Sequence, residues 1–599
     1  MRTLFFSICF LLVSVVAMGQ QARLAEQYFQ NGEYEKAGML YERLYDESKN
    51  DYYFNRYVES LLALEQFQKA EEEVKNELKK RPGQIQLMVT YGNILERQYK
   101  DDEAEKAYKD AIEALPPDQF MVVKLANSFQ QLTKYELAIE TYEKGIKLLK
   151  NKAIFAYNLG NLYRQKGETP KMIENFLTSL ESNPANITNL QALFQRSFTD
   201  ADYDELQIQL YDKLQEDQDA TPMIEMLAWV FVQKKDYRNA LRQAIALDKR
   251  NNENGGRVFS LAAVAANDRA FDDAIRGYDY IVNEKGSNSS FYLDAKRQSL
   301  RVLRRKIVEG YDYSMEDLKG LELQYQTFLE EFGSNRATAS IMMEWAELEG
   351  FYINDLEKAI AILNEVIEFP GLNEYVLGQA KIQLADFYLM EDEIWEATLL
   401  YSQVDKAHKD DQLGHEARFK NAKLSYYNGD FQWAQAQFSV LKASTSKLIA
   451  NDALDLSVFI IDNLGLDTTP TALIMYSQAD MLVFQNKFEE AFTKLDSIME
   501  MFPEHSLEDD VLYLKAKIYA KKKEYDKSVE MYNAIIERFP EEIRADNALF
   551  ELANLYENQL NDLEKAKGLY EKIFLDYSNS TFAVEARKRY RILRGDDIQ

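Results

Sequence analysis

The sequence predicts an all-α solenoid of stacked helix–turn–helix units in two segments, and three observations predict it. A small or apolar marker residue recurs at Ala37, Ala70, Ala104, Ala138, Met172, Leu206, Ala240 and Ala274, with a first step of 33 and then six steps of 34. Four residues after each marker stands Tyr41, Val74, Tyr108, Tyr142, Phe176, Leu210, Ala244 or Tyr278. A small side chain lets two helices approach, and a larger one a turn later fills the gap. Only 10 prolines and 23 glycines interrupt 599 residues, so there are few places to break a helix.

Residues 1–19 read as a signal peptide. Arg2 supplies the positive start, and Leu4 to Val16 is an apolar run too short for an ordinary membrane span. Ala17-Met18-Gly19 offers the small residues of a cleavage site, which leaves Gln20 first in the mature chain. The only cysteine, Cys9, lies inside that run, so the mature chain has no disulfide and no thiolate chemistry. No later segment approaches transmembrane length. The expected mature protein is exported, either free in the periplasm or associated with the outer membrane.

Residues 20–285 form the segment with the 34-residue period, about eight units long. Its clearest copy is 153–184. Phe155, Leu159 and Leu162 share one helix face, and Ile173, Phe176, Leu177 and Leu180 share another. Lys166-Gly167-Glu168 separates the two helices. Thr169 reads as an N-cap with Pro170 at the first helical position, and Asn183-Pro184 ends the unit. A single hairpin of this kind cannot bury both faces, so it requires neighbours.

This pattern resembles the tetratricopeptide repeat family, whose unit reads Trp-x2-Leu-Gly-x2-Tyr, then Ala-x3-Phe, then Pro. Leu159-Gly160, Tyr163, Phe176 and Pro184 match it; Ala156 and Met172 depart from it. The copy around Leu206 is degenerate, with Ser197 where Tyr163 stands. The resemblance implies a right-handed superhelix. It also implies that positions two, five, six, nine and twelve of each first helix line a concave groove.

Residues 286–335 leave the period: a loop-like Gly286-Ser-Asn-Ser-Ser precedes a long basic helix from Phe291 to Glu309. Units with longer helices follow over 336–465, marked by Ala359, Ala397 and Ala434. The step from Ala434 to Ala491 is 57, which leaves room for an extra helix near 446–464 and a linker over 465–470. Residues 466–599 complete the chain with units marked by Ala491, Ser528 and Ala566 and a capping helix near Thr581–Leu593. The style of residues 470–593 is similar to periplasmic tetratricopeptide proteins of Gram-negative envelopes.

The chemistry-bearing residues do not form a catalytic pattern. No HExxH, GxSxG, GxGxxG or P-loop sequence is present. The three histidines are His408, His415 and His505, and the spacing of the first two is better explained by a loop than by a metal pair. No enzyme activity, cofactor or metal is expected. A formal charge of −28 repels phosphate and argues against nucleic acid.

The expected site is therefore the groove. The register puts Asn93, Asn127 and Asn161 at position nine of three adjacent units and Asn158 at position six, with Phe120 and Tyr157 beside them. Tyr52, Asn55 and Arg56 hold equivalent earlier places. Asparagines can serve both the donors and acceptors of an extended peptide, and aromatics add apolar contact at small entropic cost. Asparagine at position nine could equally support local packing. A carboxylate clamp does not fit, because Val89, Val123, Thr188 and Ala192 stand where polar or cationic residues are needed. A second feature is the stripe Arg297, Arg301, Arg304 and Arg305, which could meet an anionic ligand but is better explained by pairing with neighbouring acidic repeats. The expected function is an exported, non-enzymatic scaffold that binds a protein or extended peptide in the cell envelope. The alternative is a glycan- or peptidoglycan-associated binding protein using the groove aromatics. Oligomeric state is left open.

Overall fold

The structure, a computed structural model, describes residues 20–309, 313–442, 447–464 and 470–596. The expected signal peptide over 1–19 and most of the expected linker, 465–469, lie outside the described residues. Among the described residues every regular element is helical. The chain divides into two compact units, the first ending at Ala262 and the second starting at Ala263.

Within each unit, successive helices pair as antiparallel hairpins, and the first helices of neighbouring hairpins lie against each other. The hairpin Ala156–Lys166 and Thr169–Ser182 shows how the sequence builds one. Phe155, Leu159, Leu162, Ile173, Phe176, Leu177 and Leu180 are all buried. The N-cap is Glu168 rather than Thr169, and no side chain caps the helix. The helical geometry extends one residue back from Pro170, whose fixed φ suits the first turn.

Every marker is buried, from Ala37 through Ala274 and again from Ala359 through Ala566, and so is each residue four positions later. Full burial of a Phe or Leu side chain contributes about 1.5–3 kcal/mol, so this repeated pair is the main adhesive of the stack. The glycine of the repeat pattern has a steric reason. A Cβ built on Gly160 would lie 2.6 Å from Cδ1 of Phe176, and one on Gly92 would lie 2.4 Å from Cε1 of Tyr108. In these two units the large residue after the marker occupies the space that a side chain at the glycine would need.

The turns are as regular as the core. Five residues before thirteen of the fourteen markers, the backbone is left-handed. Glycine holds this place at Gly32, Gly167 and Gly429, whereas Tyr99, Thr133, Lys235 and Asn486 are among the side-chain-bearing residues that adopt it. The next N–H reaches back across the turn, as Glu168 N does to Tyr163 O at 2.9 Å and Lys134 N does to Phe129 O at 2.9 Å. This 6→1 bond is the Schellman closure of a helix C-terminus. The exception is the unit marked by Leu206. There Thr199 and Asp202 form a reciprocal capping box, with Thr199 N donating to the Asp202 carboxylate at 2.9 Å.

In the second unit the extra helix is Lys447–Leu464, and the last helix is Ala583–Arg594. The long basic helix is Tyr292–Glu309, and a second long helix, Met315–Phe332, packs beside it.

Candidate interaction groove

In the first unit the expected groove residues fall on the first helices of their hairpins. Tyr52 and Arg56, on Asp51–Ala63, are drawn into a knot around Glu26. Glu26 accepts from the hydroxyls of Tyr41 at 2.7 Å and Tyr52 at 3.0 Å, and from Arg56 Nη2 at 3.2 Å. These hydrogen bonds, led by that of Tyr41, hold the Glu26 carboxyl below its usual range. The Arg56 guanidinium also lies 4.6 Å from the Phe29 ring centroid, and Nη1 binds Glu59 at 2.9 Å. Asn55 is exposed and Asn93 is half-buried.

Phe120 is 71% exposed and Tyr157 is 42% exposed, both large apolar surfaces facing solvent. The asparagines have partners close at hand. Asn158 Nδ2 donates to the Tyr142 hydroxyl at 3.3 Å, and Asn161 Nδ2 donates to Tyr157 O at 3.0 Å. Asn127 Oδ1 accepts from Gln130 at 3.3 Å. Each of these amides keeps further capacity, since an asparagine side chain offers two donors and an acceptor with two lone pairs.

The four arginines of the basic helix each have a partner within the second unit. Arg297 pairs with Asp294 at 3.2 Å, Arg301 with Glu344 at 2.7 Å, Arg304 with Glu347 at 2.8 Å, and Arg305 with Glu309 at 2.9 Å. Arg305 also donates to Ala266 O at 3.2 Å. The stripe ties its helix to the neighbouring hairpin.

The second unit carries a groove whose residues the sequence reading did not single out. Counting back eleven from Ala397, Ala434, Ala491 and Ser528 gives position nine as Asp386, Lys423, Asp480 and Lys517. All four line a run of adjoining cavities of about 410, 320 and 280 Å³. Asp386 and Glu416 are shared by the first two cavities, and Phe419, Lys423 and Asp452 by the last two. The same register that points to Asn93, Asn127 and Asn161 therefore identifies this groove.

The groove is rich in charge and aromatic surface. Asp386 accepts from Lys420 at 2.9 Å and from the Tyr401 hydroxyl at 2.5 Å. Lys423 lies 3.8 Å from Asp480 and over the Tyr427 ring at 5.2 Å. Arg544 is buried between Phe459 and Tyr513, with ring centroids at 5.3 and 5.2 Å, and binds Asp510. Burial pushes the carboxyls of Glu344, Glu416 and Asp452 above their ordinary range. Such displaced groups mark a place where charge is held at a cost that a bound counter-charge would relieve.

His408 is engaged locally, with Nδ1 2.9 Å from Asp411 and Nε2 3.2 Å from Glu374 O. Among the described residues no group of histidine, cysteine and carboxylate side chains has metal-site geometry, and no helix is long and apolar enough to cross a membrane.

Comparison with known proteins gives matches to the tetratricopeptide repeat family in both units. The segments are 121–150, 154–186, 510–542 and 547–580. No curated protein matches the sequence. Among solved structures, a tetratricopeptide repeat protein from Parabacteroides merdae is 12% identical, with 49% of this chain and 97% of that one covered and a TM-score of 0.28. Yeast Tom70 is 13% identical over 94% of this chain and 97% of its own, with a TM-score of 0.27. The Naa15/Naa10 structure bound to HypK is 13% identical over 97% of this chain and 94% of that one, with a TM-score of 0.26.

Proposed function

The chain is a tetratricopeptide repeat protein, and we propose that it is an exported scaffold that holds a protein segment against the first helices of its repeats. The observation that carries the reading is the register. One position per repeat, counted from a buried marker, supplies Asn93, Asn127 and Asn161 in the first unit and Asp386, Lys423, Asp480 and Lys517 in the second. A stack that presents one side chain per unit at a fixed interval suits an extended polypeptide, whose own side chains also recur at a fixed interval. The exposed rings of Phe120 and Tyr157 supply apolar anchors in the first unit. The apolar leader over residues 1–19 supports export to the cell envelope.

The proposed role is that of a non-enzymatic scaffold, in keeping with a fold of stacked repeats that offers an extended binding surface. The test is affinity capture from envelope extracts with the mature chain, followed by the triple substitution Asn127→Ala, Tyr157→Ala and Asn161→Ala. These changes remove one exposed ring and two amides while leaving the buried markers intact. Loss of a captured protein with an unchanged helical circular dichroism melt supports the reading. Capture that survives the triple substitution removes these residues from the site, and retention on purified peptidoglycan alone favours a glycan-binding role.

A further inference from the structure

One tyrosine of the second unit lacks a partner that its counterparts in other repeats have. In several repeats the residue four positions after the marker is tyrosine, and four of these donate to a carboxylate on the first helix of the same hairpin. Tyr41 donates to Glu26 at 2.7 Å, Tyr108 to Glu96 at 2.9 Å, Tyr401 to Asp386 at 2.5 Å and Tyr570 to Glu557 at 2.7 Å. Counted from the markers, Glu26 and Asp386 stand at position nine, Glu557 at eleven and Glu96 at twelve. In the repeat marked by Ser528 these positions hold Lys517, Tyr519 and Ala520, so the equivalent Tyr532 is offered no carboxylate. Tyr532 is only 3% exposed, and its hydroxyl makes no hydrogen bond with any described residue.

That hydroxyl is not sealed in the core. Tyr532 lines a cavity of about 610 Å³, and its oxygen keeps access to it. Buried polar groups are nearly always paired, and the other repeats show which group belongs against this one. Lys521 and Lys523 line the same cavity. Lys523 lies over the Tyr313 ring at 4.5 Å and Lys521 over the Phe488 ring at 5.9 Å, and neither has an ion pair with a described residue. Lys522 between them pairs with Glu489 at 2.7 Å. Glu551 is the one acid on the lining, and burial pushes its carboxyl up, which weakens its opposition to a second carboxyl. Two lysines against one such acid form a local positive excess in a chain of net charge −28. Tyr313 and Leu555 add apolar surface for a short aliphatic stem.

We propose that this cavity receives an aspartate or glutamate side chain of the bound protein segment, its carboxylate accepting from the Tyr532 hydroxyl and neutralised by Lys521 and Lys523. A carboxylate supplied by the partner then takes the place that Glu26, Glu96, Asp386 and Glu557 fill in their own repeats. A hydrogen bond from a hydroxyl to an ionised acceptor is among the stronger ones, so the contact adds selectivity as well as attraction. The inference rests on the protein-binding reading above and adds one requirement to it, an acidic residue at one fixed place.

The test is selection from a phage-displayed random dodecapeptide library on the full mature chain, beside Tyr532→Phe and Lys521→Gln/Lys523→Gln variants. Tyr532→Phe removes no hydrogen bond made in the structure, so its helical circular dichroism melt should match that of the parent and it keeps the experiment informative if the lysine variant is unstable. The expected wild-type binders share aspartate or glutamate at one position, and that preference weakens in Tyr532→Phe and disappears in the lysine variant. For one selected peptide, replacing that glutamate by glutamine weakens wild-type binding by roughly tenfold in fluorescence anisotropy and has little effect on the lysine variant. Binders with no acidic position, or an acidic preference that survives both variants, overturn this inference and leave protein binding standing. Binding of oligogalacturonate that depends on Lys521 and Lys523, with no acidic position among the peptides, overturns it in favour of an acidic glycan. Enrichment of no peptide by the folded chain overturns both readings.

Discussion

Arg544 Nε donates to Asp510 Oδ1 at 2.6 Å, and only 8% and 6% of the two side chains remain in contact with solvent. Asn463 Nδ2 donates to Asp510 at 3.2 Å, and Ser506 Oγ donates to Asn463 Oδ1 at 2.9 Å. One buried pair therefore joins the helices Lys447–Leu464, Glu508–Lys521 and Arg544–Asn558. Removing one member of such a pair strands the other charge. Arg544→Met is expected to destabilise the second unit by about 3–5 kcal/mol. Adding Asp510→Asn should recover part of that loss, because the stranded charge is gone. Urea unfolding of the single and double variants measures the coupling, and additive losses would show that the pair does not act as one.

Gly160 and Phe176 meet within one hairpin. The Cβ of Gly160→Ala would fall 2.6 Å from Phe176 Cδ1, so the ring or a helix must shift. Overpacking of this kind costs about 1–3 kcal/mol. The companion change Phe176→Leu makes room, so the double variant should lose less than the sum of the two single changes. Thermal melts of the three variants decide it. A Gly160→Ala protein as stable as the parent would mean that the contact relaxes freely.

Asp509 is 5% exposed, beside Asp510 in the first turn of its helix. Burial first, and the Asp510 charge second, push its carboxyl from the usual 3.8 up to about 7. The folded chain thus keeps a proton that the unfolded chain has lost, and stability falls as pH rises between about 4 and 7. Asp509→Asn removes this contribution. Its melting temperature should depend less on pH than that of the parent when pH 4.5 and pH 8 are compared. The difference will narrow and not vanish, since Glu344, Glu416, Asp510 and Glu551 are displaced in the same direction. An unchanged difference would contradict the burial argument for Asp509.

The stack is readable in the sequence because its markers answer to sterics: a small residue where helices cross, and a large one a turn later. Ala359, Ala397 and Ala434 are as buried as Ala37 and Ala104, although their spacing is looser. The groove of the second unit is harder to see. Its position-nine residues alternate between aspartate and lysine, and charged residues in an acidic chain look like ordinary solvated surface. The repeated asparagines of the first unit stand out by comparison. Nor can spacing reveal that Arg301 and Arg304 are already taken by Glu344 and Glu347, about forty residues away, because only the packed hairpins bring them together. The start of the helix at Thr169 is a local miss of another kind, where backbone geometry fixed by Pro170 outweighs a hydroxyl that could have capped.

The left-handed turn residue has a consequence for how such a chain can diverge. Tyr99, Thr133, Lys235 and Asn486 adopt the same backbone as Gly167, although a side chain there is disfavoured by about 1–2 kcal/mol. The helices on either side impose the bend, so mutation can change the residue at the bend while the bend itself persists. Drift at the tips can erase family resemblance unit by unit while the architecture is inherited intact. The matches to the family fall on four segments, whereas the same left-handed turn recurs in units outside them.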